Sequence, residues 1–291
     1  MSDTGSGGEP TPGDTMRDYT AILENQMGEG IRTIERPSTG QFVSALSCGF
    51  DLGLGPLFLI AMATVAGTAL DPPLLKFPMS LMYTFGFVYV VLGHSELFTE
   101  HTTLAVLPVL AGDKSVRELG RLWGLVWSGN IVGGVFMAVL IARYGPTTGV
   151  ITRETVVGVA TPFVELSPVG VFVGALLAGW LMGLLSWLLT SAGDSITRLT
   201  IVVLTTFVIG FFHLPHCVAG NIEVLAGIFA GAPISYGEWA QFLAITTVGN
   251  AVGGVVFVSI IKYAHVRRGR PEPEGVAVEQ QEGVGIDARR D

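Results

Sequence analysis

Six long apolar blocks constrain this chain more than any other feature of its sequence. They cover residues 41–67, 77–111, 119–144, 168–191, 196–231 and 239–265. Because a helix needs roughly 20 apolar residues to cross the hydrocarbon core of a bilayer, each block is long enough for a crossing. Only 14% of the residues are charged, whereas soluble domains carry about 25%. The sequence therefore predicts an all-α membrane protein with six transmembrane helices, and it excludes a nucleic-acid binder, which needs a basic face.

The second and fifth blocks are too long to be single plain helices, and each carries polar residues at mid-depth. The second contains the run 93–101, with His94 and Glu96, and the fifth contains His213-Leu214-Pro215-His216. Pro215 lacks an N–H group and its ring clashes with the preceding turn. We therefore predict that both blocks are broken, each into two short helices that flank a non-helical stretch.

Such breaks have a chemical consequence inside a membrane. Unpaired backbone groups are tolerated there only where protein or a water-filled cavity satisfies them, so the breaks predict an internal cavity. The second half of block five begins near Cys217. Its free N–H groups and positive dipole end are expected to attract anions.

An internal repeat links the two halves of the chain. Block three contains Gly-Asn-Ile-Val-Gly-Gly-Val at 129–135, and block six contains Gly-Asn-Ala-Val-Gly-Gly-Val at 249–255. Three crossings per half invert the second half, and inverted repeats with paired broken helices mark a substrate path near the membrane midplane. The glycines by themselves are explained by close helix packing. The position of the repeat is what indicates transport.

The basic residues predict the orientation of the chain. An even number of crossings puts both termini on one side. Assigning that side to the cytoplasm leaves only Lys76, Arg143 and Arg153 opposite, in agreement with the positive-inside rule. The chain is thus predicted to be a multi-pass plasma-membrane protein with both termini in the cytoplasm. Its predicted parts are a cytoplasmic N-terminal segment at 1–40, a six-span transporter domain at 41–265 and a disordered cytoplasmic tail at 266–291.

Motifs of other protein classes are missing. The two cysteines, Cys48 and Cys217, lie in apolar blocks and offer no zinc cluster. The histidines and acids of 94–101 do not have the His-Glu-x-x-His spacing of a metalloprotease, and no Gly-x-Ser-x-Gly string occurs. No Asn-Pro dipeptide occurs either, which argues against a water or glycerol channel. We predict no enzymatic activity, no metal and no cofactor.

Three of these features together resemble the formate/nitrite transporter family: the string Leu97-Phe98-Thr99 in the broken second block, His216 in the break of the fifth, and the paired Gly-Asn strings. The resemblance covers the membrane part, from about Arg36 to Arg268. It implies an aquaporin-like six-helix protomer with an inverted 3+3 repeat, assembled as a homopentamer. It also implies passage of small monovalent anions such as formate, nitrite or hydrosulfide.

The resemblance assigns roles to individual residues. His216 matches the central pore histidine and Thr99 the loop threonine that hydrogen-bonds it. The remaining matches are the constriction residues Leu97, Phe98, Phe87 and Tyr83, the vestibule-lining residues Asn130 and Asn250, and the N-terminal amphipathic helix over Arg17–Arg36. The sequence departs from the family in the segment 161–168, which has Glu165 where typical members carry a lysine, and at His94, where a small residue is common.

These assignments lead to one transport hypothesis with named alternatives. An anion enters a vestibule, receives a proton through His216 and crosses the apolar constriction as the neutral acid, with Glu96 and His94 as a proton or polar relay. The expected partners are small monovalent anions, protons and the lipid bilayer, and nucleic acid is not among them. A non-conducting sensor or scaffold on the same fold and a neutral-solute channel are the alternatives. The anion carried, and the choice between channel and proton-coupled carrier, stay open.

Overall fold

The fold is helical throughout the residues 19–268, which the computed structural model describes. The helices are α1 (Tyr19–Glu35), α2 (Ser38–Ala66), α3 (Pro72–Leu92), α4 (Phe98–Leu104), α5 (Val106–Ala111), α6 (Val116–Val139), α7 (Arg153–Glu165), α8 (Pro168–Ser191), α9 (Ser195–Phe211), α10 (Ala219–Ala230), α11 (Tyr236–Gly254) and α12 (Ile261–Arg268). Wider π-type turns extend α6 over Leu140–Tyr144 and join α11 to α12 over Val255–Ile260.

Five of the helical segments are long and apolar enough to cross a membrane: α2, α3, α6 with its extension, α8, and α11 through α12. The shorter apolar helices α9 and α10 share the remaining crossing. The predicted all-α membrane fold with breaks in the second and fifth blocks is thus confirmed. Two details differ. Helix α3 has 21 residues and is not a short half-helix, and α7 lies between blocks three and four, where the sequence suggested no element.

Small residues determine how the two halves are packed. In the first half α2 packs along α6, and in the second half α8 packs along α11. A Cβ atom on Gly133 of α6 would lie 2.4 Å from the carbonyl oxygen of Leu46, and one on Gly253 of α11 would lie 2.2 Å from that of Leu176. Glycine is required at both positions because the backbones touch. The repeated glycine strings therefore act in helix packing, as their composition suggested.

The short helices that follow the two breaks pack across the halves. Helix α4, from the first half, lies against α8 and α11 of the second half, and α10, from the second half, lies against α2, α6 and α7. The two breaks consequently meet in the centre of the bundle. Their inner residues, 96–99 and 215–217, are buried, whereas His94 and Phe212 at their outer ends are exposed.

Helix α1 lies across the face of the bundle where the first break opens. Its buried side chains include Ile22, Leu23 and Ile34. Glu35, at its end, accepts a hydrogen bond of 2.7 Å from Lys114, and this bond raises the pKa of the Lys114 ammonium. An amphipathic helix was expected in this part of the chain. Of the tail predicted at 266–291, residues 266–268 form the end of α12 and residues 269–291 lie outside the described residues. The domain boundaries stay predictions.

The close approach of α8 and α11 predicts a position-dependent effect of adding one methyl group. We expect Gly253→Ala to destabilise the protein by about 1–3 kcal/mol, because the new Cβ displaces backbone and not a flexible side chain. The matched variant Gly120→Ala places its Cβ in open space on α6, and we expect it to be neutral or slightly stabilising. Thermal unfolding of the two purified variants in one detergent measures the difference; equal melting temperatures would contradict the packing described.

Candidate functional site

Both broken helices end in the same hydrogen-bonded turn, with a histidine in a conformation that glycine usually adopts. His94 lies two residues beyond the end of α3 and has φ 54°, and His213 lies two residues beyond the end of α9 and has φ 51°. The N–H of the next residue binds the carbonyl five positions back, over 3.0 Å from Ser95 to Val90 and over 3.0 Å from Leu214 to Ile209. This is the Schellman end of a helix, where the left-handed position normally takes glycine. A strained residue at an equivalent place in both halves indicates a functional constraint.

The repeated asparagines hold the backbone of the breaks together. Asn130 accepts a hydrogen bond from the Phe98 N–H (2.9 Å) and donates to the carbonyls of Ala45 (2.9 Å) and Glu96 (2.8 Å). Asn250 repeats the arrangement in the second half. It accepts from the Cys217 N–H (2.8 Å) and donates to the carbonyls of Ala175 (2.7 Å) and Pro215 (3.2 Å).

The same bonds give the two asparagines a structural role. Both Asn130 and Asn250 are 0% exposed, and they supply the partners that a non-helical backbone needs inside a membrane. In each half the break lies beside the Gly-Asn string, so the amide reaches these backbone groups. That the two residues also line the vestibules stays a prediction.

His216 lies at the centre of the bundle, between the two breaks, and is fully buried. Its Nδ1 atom accepts hydrogen bonds from the N–H groups of Val218 (3.3 Å) and Ala219 (3.2 Å). A neutral ring that accepts at Nδ1 carries its proton on Nε2. The Nε2 atom lies 2.9 Å from Oγ1 of Thr99, in the other half of the molecule, and donates its proton to it. The only ring proton therefore points at the first break.

The hydrogen bonds of Asn250 and His216 correct the expected anion site at the start of α10. The first N–H groups of this half-helix, those of Cys217, Val218 and Ala219, are already bound by Asn250 and His216. They are consequently not available to a ligand, although the positive end of the helix dipole still lies at the centre of the bundle.

Aromatic side chains on α3 surround the central histidine on one side. The Phe87 ring meets the His216 ring edge-on at a centroid distance of 5.3 Å, and Tyr83 lies 5.3 Å from Phe87. Leu97 is buried beside the first break, whereas the Phe98 ring packs on Trp123 at 5.9 Å. The structure thus brings His216, Thr99, Phe87 and Tyr83 into one contiguous group.

The residues considered for a relay, Glu96 and His94, lie on the side of the first break that faces α1. Glu96 contacts Arg36, which follows α1, and His101 of α4 through its two carboxylate oxygens. His94 lines a cavity of about 130 Å³ together with Glu29 and Glu100. The geometry gives Glu96 an ion-pairing role that ties α1 to the break.

This ion-pair arrangement predicts how firmly α1 is held. We expect Glu96→Gln to weaken the docking of α1 by roughly 1–2 kcal/mol, because Arg36 and His101 lose their shared anion. Since cleavage within a helix follows the population of its opened form, tryptic cleavage after Arg32 should become about tenfold faster. The exposed Glu165→Gln serves as the control. Equal cleavage rates in Glu96→Gln and wild-type protein would show that the ion pair does not hold α1.

A second cavity opens on the opposite face, beyond Tyr83. Its volume is about 310 Å³, and Lys76 and Ser80 of α3 and His213 of the second break line it. The sequence shows no base in the segment 161–168, and Lys76 entered the prediction only as a marker of orientation, not as a site residue. One signal was available: residues 76, 80, 83 and 87 are spaced as one face of a helix. That face leads from the cavity to His216.

The architecture by itself indicates the class of protein. A helical bundle with six crossings, built from two repeats whose broken helices meet at one buried histidine, is the architecture of a membrane transport protein. The chain belongs to the formate/nitrite transporter family, whose sequence profile matches residues 20–264. The predicted family and the predicted absence of enzymatic activity are both confirmed by this match and by relatives that are named as transporters and channels.

Individual relatives and structures agree with the family assignment. The chain is 30% identical over 257 residues to the inner membrane protein YfdC of Escherichia coli K12, which covers 85% of this chain and 78% of that protein. It is 29% identical over 240 residues to the nitrite transporter NirC of Salmonella typhimurium LT2, covering 80% and 86%.

Two solved structures share the fold. An ion channel described as belonging to the FNT family superposes with a TM-score of 0.76 at 24% identity, covering 84% of this chain and 99% of that one. A pentameric formate channel with formate bound superposes with a TM-score of 0.66 at 23% identity, covering 79% and 98%. The chain is therefore a divergent, multi-pass membrane member of the family.

Proposed function

We propose that this protein is a channel for small monovalent anions of the formate and nitrite type, which cross its centre as neutral acids. His216 takes up a proton from water, passes a proton to the anion and returns to its neutral form, and the acid releases its proton to water on the far side. The observation that carries the proposal is the buried imidazole of His216, whose only ring proton is directed at Thr99 between two broken helices. Family membership and the bound formate of a structural neighbour support the class of substrate.

Energetics favour neutralisation over passage of the free ion. Moving an isolated carboxylate into a dry, low-dielectric site costs tens of kcal/mol. Protonating a carboxylate with a pKa of about 4 at pH 7 costs roughly 4 kcal/mol. The Phe87 ring, which contacts His216, and the Leu97 side chain in the first break are both 0% exposed. These apolar groups exclude charged species but admit a small neutral acid. The Nε2 proton of His216 and the hydroxyl of Thr99 provide the hydrogen bonds at the crossing point.

The assembly and the orientation belong to the same proposal. We infer that the chain forms a pentamer with one path in each protomer, as the pentameric formate channel does. We also infer that both termini face the cytoplasm, because the face with α1 carries most of the lysines and arginines. The face with the 310 Å³ cavity is then the outer one, and we name that cavity the outer vestibule.

Uptake by proteoliposomes tests the function. Purified protein in liposomes should take up labelled formate and nitrite well above protein-free liposomes. Uptake should rise as the pH falls from 7 to 6, because the fraction of neutral acid increases about tenfold per pH unit in this range. Uptake at the rate of protein-free liposomes for every anion tested would instead support a non-conducting sensor or scaffold.

A further inference from the structure

One buried carboxyl group of the second half takes no part in the packing or the hydrogen bonds described above. Glu223 lies in α10 and is 2% exposed. Its Oε1 atom has no hydrogen-bond partner among the described residues. It does not cap the helix, because the first N–H groups of α10 are already bound by Asn250 and His216. A buried polar atom without a partner in a native fold points to a functional reason for its presence.

The surroundings of Glu223 offer no cation that would balance a carboxylate. Helix α10 packs against α2, α6, α7 and α11, and no charged group in the described part of these helices acts electrostatically on Glu223. The titratable group that does interact with it is the phenol of Tyr83 on α3, on which the Cys217 thiol also acts. An unpaired buried carboxylate is strongly disfavoured relative to the neutral acid. Glu223 therefore holds a proton at neutral pH.

Glu223 lies on the outer side of His216. The two residues are seven positions apart, which is about 10 Å along the axis of the helix. One turn beyond Glu223, a Cβ atom on Gly227 would collide with the side chain of Ala160 on α7. Ala160 is the neighbour of Val159, which lines the outer vestibule. Helix α10 thus runs from the central histidine towards the outer vestibule, and Glu223 lies between the two.

Tyr83 occupies the same level on the opposing helix α3. It lies one turn after Ser80, which lines the outer vestibule, and one turn before Phe87, whose ring contacts His216. Because Tyr83 also interacts electrostatically with Glu223, the phenol and the carboxyl group share one stretch of the route to the centre. Buried polar atoms of this kind are usually satisfied by ordered water. A carboxyl group, a phenol and water together form a path of exchangeable protons.

We propose that Glu223 supplies the proton that His216 passes on, as a proton-transfer residue on the outer side of the centre. The proposal rests on the proposed function. The O–H bond of Glu223 breaks, and a proton reaches the imidazole of His216 through water or the Tyr83 hydroxyl and forms a new N–H bond, which leaves a carboxylate and an imidazolium. The imidazolium gives a proton to the anion and is neutral again. The carboxylate of Glu223 then regains a proton from water in the outer vestibule.

Infrared difference spectroscopy tests the proton on Glu223 without transport. Wild-type protein in detergent at pH 7 should show the C=O stretching band of a protonated carboxyl group, and this band should be missing in Glu223→Gln. Glu165→Gln, which changes an exposed carboxyl group on α7, should keep it. Both variants should melt like wild type, because glutamine has the shape and polarity of a neutral glutamic acid. Identical spectra of wild type and Glu223→Gln would overturn the proposal.

Formate uptake by proteoliposomes tests the transfer itself. Uptake by Glu223→Gln should fall at least about tenfold, because the amide cannot give up a proton as a positioned acid does. Glu223→Asp keeps a carboxyl group but lengthens the transfer by one methylene. It should retain more uptake than Glu223→Gln and should slow down more in D2O than wild type, because the longer proton transfer limits its rate. Glu165→Gln should take up formate like wild type.

The two proposals can fail separately. Wild-type uptake by Glu223→Gln would overturn the role of Glu223 and leave the channel function intact. Equal losses in Glu223→Gln and Glu223→Asp, with no larger effect of D2O on the aspartate variant, would show that the side chain is needed only for the structure, and would overturn the proposal as well. No formate uptake by wild-type protein would reject the channel function and, with it, the transfer to His216.

Discussion

Replacing His216 by asparagine should abolish proton-linked uptake while keeping the fold. The Nδ1 atom of His216 accepts the N–H groups of Val218 and Ala219 at the start of α10, and an asparagine Oδ1 is among the best acceptors at this kind of position. The substitution therefore keeps the helix start but removes the Nε2 proton directed at Thr99. Because a positioned acid or base contributes about 10²–10⁴-fold to the rate of proton transfer, formate uptake should fall at least about 100-fold.

A second variant separates this role from a structural one. His216→Phe fills the ring volume but leaves the two N–H groups without an acceptor, so it should lower the melting temperature as well as uptake. His265→Phe changes a histidine that contacts Tyr19 at the surface and should leave both unchanged. If His216→Asn melts like wild type and takes up formate at the wild-type rate, with the same pH dependence, then His216 does not transfer the proton.

The positions of the two breaks were accessible from the sequence because they conflict with their surroundings. Pro215 cannot continue a helix, and the polar run at 93–101 interrupts an apolar block. The glycine strings were equally informative, since positions such as Gly133 and Gly253 touch neighbouring backbone and admit no side chain. Proline, glycine or a run of polar residues within a membrane-spanning block has few physical explanations, so each of these features predicts a specific structure.

The contacts across the repeat could not be read from the sequence. Asn130 binds backbone groups at positions 45, 96 and 98, and a polar residue in an apolar block looks the same whether it meets backbone or solvent. Helix α7 was missed because its residues are less apolar than those of the spans. Lys76 was missed because its importance depends on the cavity beside it, which α2, α7 and α9 complete.

Replacing Asn250 by leucine should cause the largest loss of stability of any variant considered. The Asn250 side chain accepts a hydrogen bond from the Cys217 N–H and donates to the carbonyls of Ala175 and Pro215. Leucine has a similar volume but satisfies none of them, and each buried polar group left without a partner costs about 1–3 kcal/mol. A total near 3–6 kcal/mol corresponds to a melting temperature lower by roughly 10 °C or more. Thermal unfolding in detergent, followed by tryptophan fluorescence, measures this shift.

The repeat supplies the matched comparison for this prediction. Asn130→Leu should have a similar effect, because Asn130 makes the same three bonds in the first half. Asn25→Leu, on the exposed side of α1 where the amide donates to the nearby Ala21 carbonyl, should shift the melting temperature little. If the Asn250 and Asn130 variants melt like the Asn25 variant, the breaks are held by helix packing alone. In that case the geometry around His216 and Thr99 does not depend on the asparagines, and other groups must satisfy the backbone of the two breaks.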